Sequence, residues 1–414
     1  MRSKNRSDRS NRSYLLIPLR YEAVKAEIND REDTPARTYR APGRVNLIGE
    51  HTDYNDGFVM PAAIGFSTFV TVSPRHDRKL SLFSENFSEQ VEFDLDDPDP
   101  RPAGHWSDYP RGIAVTLERA GYRLSGASLR IRGEVPIGSG LSSSAAVEVA
   151  TCYALLDNSA LSADPVKMAK LCQRAENDFV GMRCGIMDQF ASCCGQAGKA
   201  LMLDCRSLDY KLLPLPDETR LVICNTMVKH ALAGGEYNIR RAECEAGVRH
   251  FAQSLPNVRA LRDVSEADLK RYGNDLSEVI YRRCRHVITE NARVLKAAKA
   301  LGRGDLEAFG GLMNESHHSL RDDYEVSCKE LDVMVELAQK VRGVYGARMT
   351  GGGFGGCTIN FVNAENVEEL KQTVAQGYTA VTGQVPEIYV CSAAEGAEEV
   401  IADENRSRSS EFNL

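Results

Sequence analysis

The sequence predicts an α+β protein of two domains. With 414 residues and 43% hydrophobic composition, the chain can bury two sizeable cores, and chains of this length commonly split into domains. Strand-like runs separated by turn residues dominate the first half, long helical patterns follow, and strands return near the end. We place the boundary in the Pro-containing stretch 204–216, and therefore expect an N-terminal domain over residues 14–209 and a C-terminal domain over residues 210–398.

Both termini read as polar tails, over residues 1–13 and 399–414. The first carries five basic residues against one acid among serines and asparagines, with no apolar face. That composition predicts disorder and fits neither a signal peptide nor an amphipathic transit helix. The net charge of −7 argues against nucleic-acid binding, which needs a basic face.

The twelve cysteines are scattered through helix-like and strand-like segments without CxxC pairs. Reduced thiols in a cytosolic enzyme fit this pattern better than a disulfide framework. No apolar run approaches the length that spans a bilayer. We expect a soluble, cytoplasmic monomer without nucleic-acid or membrane partners.

Short strands are expected in the first half at Val45–Ile48, Thr68–Val72 and Leu129–Ile131. The first would put Arg44 at one of its ends. A helix should follow Gly140 to about residue 156, and another should start after Asp164, a plausible N-cap, and end near residue 181.

The second half is predominantly helical until strands return near residue 344. Helical periodicity is found over residues 238–255, 278–301, 305–320 and 329–341. Strands over 344–349, 358–362 and 387–390 enclose a helix over about 364–380. This arrangement predicts an α+β unit.

A dense polar cluster lies within residues 41–57, where Glu50, His51 and Asp53 follow the apolar run. Carboxylates accept hydrogen bonds from sugar hydroxyls, and an imidazole can donate or accept, so the cluster suits a polyhydroxyl ligand. The alternative is a solvated loop that carries these charges by chance.

A glycine- and serine-rich loop, residues 135–146, directly precedes a predicted helix. Glycines let the backbone approach an anion, serines add donors, and the helix N-terminus adds positive potential, so triphosphate binding is its natural use. The loop lacks the lysine of a P-loop and the dinucleotide GxGxxG spacing. A serine-capped helix after a flexible turn is the alternative.

Two further segments carry chemistry. Asp188 lies among apolar residues near the start of a predicted helix, so it should stay ionised with a cation nearby.

The glycine-rich run 351–356 separates two strands that it cannot stabilise, which indicates that another group approaches its backbone. A flexible hairpin is the alternative.

Together these segments resemble galactokinases, within the wider family that includes homoserine, mevalonate and phosphomevalonate kinases. The resemblance runs in the family's order through residues 41–57, 135–149, 181–190, 316–332 and 350–358, and so covers most of the chain. It implies an N-terminal domain like domain 2 of ribosomal protein S5, a ferredoxin-like C-terminal domain, and an active site between them.

The resemblance also implies an activity and its residues. The reaction would be ATP-dependent phosphorylation of α-D-galactose at its anomeric oxygen in galactose catabolism, with Asp188 and Arg44 catalytic. Sugar binding would fall to Glu50, His51, Asp53, Gly185 and Tyr237. ATP would contact Gly138, Ser139, Gly140, Leu141, Ser142, Ser143 and Ser144, with Trp106 near the adenine or packed in the core. Mg²⁺ would bind Ser144 and Glu176.

Some questions stay open at the level of sequence. A related sugar such as N-acetylgalactosamine is an alternative substrate. A non-catalytic galactose and ATP sensor is an alternative of another class, although such sensors lose residues from the run that is intact here as Ser142–Ala146. Whether Asp188 acts as a base or by orientation is open, as is the effect of Arg183, where many galactokinases have proline.

Overall fold

The structure, a computed structural model, describes residues 35–229 and 233–401. The predicted basic tail and nearly all of the predicted C-terminal tail lie outside these residues. The strands are β1 (Arg37–Asn46), β2 (Phe58–Val59), β3 (Pro61–Pro74), β4 (Lys79–Ser84), β5 (Glu89–Asp94), β6 (Ala127–Gly133), β7 (Lys199–Asp204), β8 (Tyr210–Pro214), β9 (Thr219–Lys229), β10 (Val344–Thr350), β11 (Gly355–Asn363), β12 (Glu387–Cys391) and β13 (Glu398–Val400).

Ten α-helices lie within the described residues. They are α1 (Asp108–Arg119), α2 (Ser143–Asn158), α3 (Pro165–Ala175), α4 (Met187–Cys194), α5 (Ala233–Phe251), α6 (Glu266–Tyr272), α7 (Glu278–Leu301), α8 (Leu306–Asp322), α9 (Lys329–Ala338) and α10 (Val367–Thr382). None of these helices has both the length and the hydropathy that crossing a bilayer requires.

The first unit is a six-stranded sheet in the order β13-β1-β3-β6-β4-β5, in which β4 and β6 are parallel and the other pairs antiparallel. Helix α2 packs on β1 and β3. The last strand, β13, overlaps the predicted polar tail and pairs with β1 through cross-strand ion pairs of Arg37 with Glu399 and Arg40 with Glu398. The chain therefore returns to its first sheet at its end.

The second unit is a four-stranded antiparallel sheet in the order β10-β11-β9-β12. Helices α5 to α9 connect its first strand, β9, to β10, and α10 connects β11 to β12. This is the β-α-β-β-α-β connectivity of a ferredoxin-like unit, with extra helices in the first crossover. The predicted α+β fold in two units is confirmed.

The strand expected over Val45–Ile48 is wrong in its bounds. Strand β1 begins at Arg37 and ends at Asn46, so Arg44 lies inside it. Leu47 and Ile48 are apolar because they join a core with residues of the second unit, such as Phe361. The backbone turns at Gly49, whose φ of +98° lies in the left-handed region that glycine tolerates.

The predicted helix after Asp164 is confirmed, because the Asp164 carboxylate accepts a hydrogen bond from the Lys167 backbone and Pro165 is the first helical residue. Regular α-geometry ends at Ala175. The chain then makes a π-helical turn, Glu176–Val180, which stops at Gly181. Such turns are rare and occur frequently at functional sites.

Candidate active site

A cleft of about 460 Å³ lies between the two units, a size typical of small-molecule pockets. Most of the residues expected from the sequence line it: Arg44, Glu50, His51, Asp53, Gly138, Gly140, Ser142, Glu176, Gly185, Asp188 and Tyr237. Its lining does not include Ser139, Leu141, Ser143, Ser144 or Trp106. The polar cluster and the glycine-serine loop thus share one cleft.

Asp188 and Arg44 form a bidentate ion pair in the cleft wall. Arg44 Nε and Nη2 each donate to the Asp188 carboxylate at 2.8 Å, while Nη1 donates to the Gly140 carbonyl at 2.7 Å. Ser142 Oγ donates to Asp188 Oδ2 at 2.6 Å. Asp188 lies in the first turn of α4, where the helix dipole favours negative charge. The carboxylate is therefore fixed between β1 and the glycine-serine loop.

Asp53 occupies space that Gly185 leaves open. A Cβ atom on Gly185 would lie 1.8 Å from Asp53 Oδ2, so any other residue would displace the carboxylate. Asp53 Oδ1 accepts from the Tyr54 backbone at 2.9 Å. Burial, together with the nearby Asp188, raises the pKa of Asp53 to about 7. A ligand hydroxyl would give this carboxylate a further hydrogen-bond partner.

His51 is held by both ring nitrogens. Nε2 lies 3.2 Å from the Gly352 carbonyl and Nδ1 lies 2.8 Å from the Tyr54 hydroxyl. Because a carbonyl only accepts, Nε2 carries the proton and Nδ1 accepts from the Tyr54 hydroxyl. The Tyr54 hydroxyl in turn lies 2.8 Å from the Tyr324 hydroxyl. Burial lowers the pKa of His51 to about 3, so the ring is neutral.

Glu50 connects the polar cluster to the second unit. Its Oε2 accepts from Arg348 at 2.7 Å and from Asn46 at 3.1 Å, and its Oε1 accepts from the Gly351 backbone at 3.1 Å. The Glu50 and Arg348 side chains are 3% and 0% exposed, so the pair is fully desolvated. Glu50 thus fixes one end of the glycine-rich loop.

Tyr237, near the start of α5, is half-buried beside the polar cluster. Its ring lies 5.6 Å from the His51 ring and 5.3 Å from the Tyr54 ring, measured between centroids. The structure therefore brings together all five residues for which the resemblance implies sugar binding.

The two glycine-rich loops pack backbone against backbone. A Cβ on Gly351 would lie 3.0 Å from the Gly140 carbonyl, and one on Gly356 would lie 3.0 Å from the Ser139 carbonyl. Gly140 and Gly351 adopt φ values of +80° and +86°. The close approach expected for the run 351–356 is therefore observed, and its partner is the loop before α2. Leu141 is a core residue whose carbonyl accepts from the Arg44 backbone at 3.1 Å.

Glu176 and Ser144 offer oxygen ligands beside this loop. Glu176 is 4% exposed, its Oε2 accepts from Gln189 Nε2 at 2.6 Å, and the Ser144 hydroxyl lies close enough to favour the charged form of the carboxylate. Burial, together with Asp188, raises the pKa of Glu176 to about 7, which marks a buried carboxylate short of positive charge. A carboxylate and a hydroxyl are ligands that Mg²⁺ accepts beside substrate phosphates, so these residues fit the metal.

The side chains of Trp106 and Arg183 contact residues outside the cleft lining. The Trp106 indole donates to Glu89 at 2.9 Å and stacks on Phe87, with 6.0 Å between ring centroids. Arg183 donates to Glu245 of α5 at 3.0 Å. Arg183 therefore pairs with a helix of the second unit and forms no ion pair with Asp188 among the described residues.

Reasoning from the sequence missed two residues of this region, Gln189 and Arg348. Gln189 directly follows Asp188, and Arg348 lies three residues before the glycine-rich run. Both are fully buried, and both bond to carboxylates that line the cleft. A polar residue inside an apolar run beside a functional segment was the available signal.

Comparisons with known families match three parts of the chain. Residues 26–74 match the galactokinase galactose-binding signature, residues 108–196 the N-terminal domain of GHMP kinases, and residues 297–380 their C-terminal domain. The first match contains the polar cluster.

Individual proteins match over most of their length. A galactokinase of Roseiflexus sp. (strain RS-1) is 48% identical over 87% of this chain and 92% of its own, and one of Chloroflexus aggregans is 49% identical over 89% and 95%. The solved structure of Lactococcus lactis galactokinase complexed with galactose matches with a TM-score of 0.86 and 39% identity, over 93% of this chain and 100% of that one.

Proposed function

The chain belongs to the galactokinase family of the GHMP kinases, and we propose that it transfers the γ-phosphoryl group of ATP to the anomeric oxygen of α-D-galactose. One observation carries this proposal. The Asp188–Arg44 pair lies in a single cleft with the polar cluster and the loop before α2. A sugar hydroxyl and a terminal phosphate can therefore meet at this pair.

Asp188 would orient the anomeric hydroxyl and take its proton. That hydroxyl is a far weaker acid than a carboxylic acid, so complete proton removal before transfer would be uphill. Proton transfer late in a loose transition state fits an ordinary aspartate better. Arg44, already placed by Gly140 and Asp188, would stabilise charge on the transferring group.

The ATP phosphates would lie on the backbone of residues 138–142 and the N-terminus of α2, where amides and the dipole attract anions. Ser144 and Glu176 would hold Mg²⁺, which neutralises charge on the phosphate oxygens when bound. Ser142 would release Asp188 and contact either phosphate or sugar. Trp106, which is bonded to Glu89 and stacked on Phe87 outside the cleft lining, is not assigned a contact with ATP.

The sugar would be selected by the polar cluster. No backbone donor in the described ranges contacts Asp53 Oδ2, and Gly185 leaves space for this oxygen. Tyr237 and His51 would form a wall beside the sugar ring, in which the tyrosine ring is the apolar part and the imidazole the polar part. Glu50 would connect this wall to the glycine-rich loop. We also infer a monomer, because all these groups come from one chain, and a reducing cytoplasm, because all twelve cysteines are free thiols.

An ADP-release assay tests the substrate. We expect turnover with galactose to exceed that with N-acetylgalactosamine, glucose and arabinose. Faster turnover with N-acetylgalactosamine would assign the related-sugar kinase instead. No turnover with any of the four sugars, combined with measurable galactose and ATP binding, would indicate a sensor.

Replacement of the candidate base tests the mechanism. Asp188→Asn should lower kcat by about 10²–10⁴-fold, the range for lost acid-base catalysis, with little change in ATP affinity by calorimetry. Asp178→Asn is the matched control, because Asp178 is exposed and, among the described residues, pairs with Arg174 one turn away. Near-normal turnover in Asp188→Asn would reject the role of Asp188.

A further inference from the structure

Gln189 joins two buried carboxylates that come from different elements. Its Nε2 lies 2.6 Å from Glu176 Oε2 and 3.1 Å from Glu148 Oε2. Gln189 and Glu148 are fully buried, and Glu176 is 4% exposed. An amide nitrogen carries two hydrogens, so one Gln189 side chain can donate to both carboxylates at once.

This bridge connects the three elements that form the phosphate side of the cleft. Glu148 lies on α2, which begins at the glycine-serine loop, and Glu176 begins the π-helical turn. Gln189 is the neighbour of Asp188 on α4, but its side chain is fully buried, whereas that of Asp188 is 26% exposed. A single amide therefore links side chains from all three elements.

The Ser144 hydroxyl and the Cys184 thiol also lie beside the Glu176 carboxylate, and Ser144 is itself a proposed ligand of the cation. The Cys184 thiol, a weak donor, lies 3.4 Å from the same Oε2 atom. Glu148 Oε1 and Gln189 Oε1 are buried without a hydrogen-bond partner among the described residues. Loss of the amide would leave two buried carboxylates facing each other without their shared donor, which favours their moving apart.

We propose that Gln189 is a positioning residue that orients the Glu176 carboxylate for a divalent cation bound with the nucleotide. The inference rests on the proposed function, since that function places the cation on Glu176 and Ser144. Groups that orient a metal ligand commonly contribute 10- to 100-fold to metal affinity. Gln189 would therefore influence nucleotide-linked metal binding without touching substrate.

The test is direct metal binding to Gln189→Met, which keeps the length of the side chain and removes the amide. We expect Mn²⁺, followed by electron paramagnetic resonance in the presence of AMP-PNP, to bind about tenfold more weakly or worse than to wild type. The galactose Kd should stay within about twofold, a split that general destabilisation would not produce. Gln173→Met is the matched control, because Gln173 lies on α3 and donates to the Cys184 carbonyl rather than to Glu176.

A second variant covers failure of Gln189→Met to fold. Gln189→Asn keeps an amide that is one methylene too short to reach both carboxylates, and it should also weaken Mn²⁺ binding. Unchanged Mn²⁺ binding in the folded variants, while Glu176→Gln loses it, would overturn the proposal. Unchanged binding in Glu176→Gln would reject the metal assignment and the proposal with it. A wild type that binds Mn²⁺ but does not phosphorylate galactose would refute the proposed function alone.

Discussion

A missing side chain determines where the Asp53 carboxylate lies. Gly185 leaves no room for a Cβ, because that atom would lie 1.8 Å from Asp53 Oδ2. The φ of Gly185 is not in the left-handed region, so the requirement for glycine here is space and not backbone conformation. Gly185 therefore acts by leaving room for the Asp53 carboxylate, for which we propose sugar binding.

Gly185→Ala should raise the galactose KM by about tenfold or more, because loss of one good hydrogen bond to a charged group costs about 1.5–3 kcal/mol. The KM for ATP should change little. Steady-state kinetics with each substrate varied in turn measures both values. Gly311→Ala is the control, since a Cβ there meets no atom within 4 Å. An unchanged galactose KM in Gly185→Ala would mean that Asp53 does not bind the sugar.

The shifted pKa of Asp53 predicts a pH-dependent stability. Its pKa is about 7 in the folded protein against 3.8 for the free side chain, so the folded state binds the proton more tightly. Stability from this group is complete below about pH 4 and is lost as pH rises to about 7, by up to about 4 kcal/mol. Without galactose, the Tm of wild type should therefore fall relative to that of Asp53→Asn between pH 5 and pH 8. A constant Tm difference would contradict the shift.

At the scale of residues, sequence reasoning went furthest where charge needs compensation. A carboxylate among Ile186, Met187 and Phe190 requires a cation, and Arg44 does contact Asp188. The donation from Ser142 to Asp188 could not be predicted, because it depends on a left-handed backbone at Ser142, with a φ of +62°. Gln189 was missed for a related reason, since its partners lie on two other elements.

At the scale of elements, the two glycine-rich loops pack against each other and shape each other. Residues 138–140 and 351–356 lie close enough that a Cβ at Gly351 would press on the Gly140 carbonyl at 3.0 Å. The loop before α2 is thus shaped partly by a loop from the other end of the chain.

Gly351→Ala should therefore raise the KM for ATP by about tenfold or more, because a shift of about 1 Å in a binding loop is enough to cost about 10²-fold. Its φ of +86° adds backbone strain, so the control needs the same strain without the contact. Gly304→Ala provides it, with a φ of +73° and no atom within 4 Å. Equal effects of both variants on the ATP KM would show that loop contact is unimportant.

Most helices were predictable from periodicity and caps, and the one over Glu278–Leu301 has the expected bounds. Strand bounds were predicted less accurately where apolar residues are buried against elements outside their own sheet. The run Val45–Ile48 looked like one strand, but the strand ends at Asn46, and the apolar residues of the run are buried in a core shared by both units. Strand β13 escaped prediction because it is polar and is held by cross-strand ion pairs rather than by an apolar face.

At the scale of the whole molecule, a buried polar network holds the polar cluster of residues 41–57 to the second unit. Glu290 of α7 accepts from the Gly49 backbone at 2.8 Å and from Ser316 at 2.6 Å. Arg348 of β10 donates to the Asn46 carbonyl at 2.9 Å as well as to Glu50. Contacts between residues about 240 to 300 positions apart leave no local pattern, so single-sequence reasoning could not find this network.

Arg348→Met should lower stability by about 3–5 kcal/mol, because it leaves the Glu50 carboxylate buried without its cation. The loss would appear as a lower urea midpoint and as weaker galactose binding, since Glu50 also holds Gly351. Arg174→Met is the control, because its exposed pair with Asp178 should contribute less than about 1 kcal/mol. Adding Glu50→Gln to Arg348→Met should recover part of the midpoint by removing the unpaired charge, but it should not restore galactose binding. A midpoint for Arg348→Met equal to that of the control would mean that the Glu50–Arg348 pair adds nothing to the free energy of unfolding. The apolar core shared by the two units would then hold the polar cluster alone.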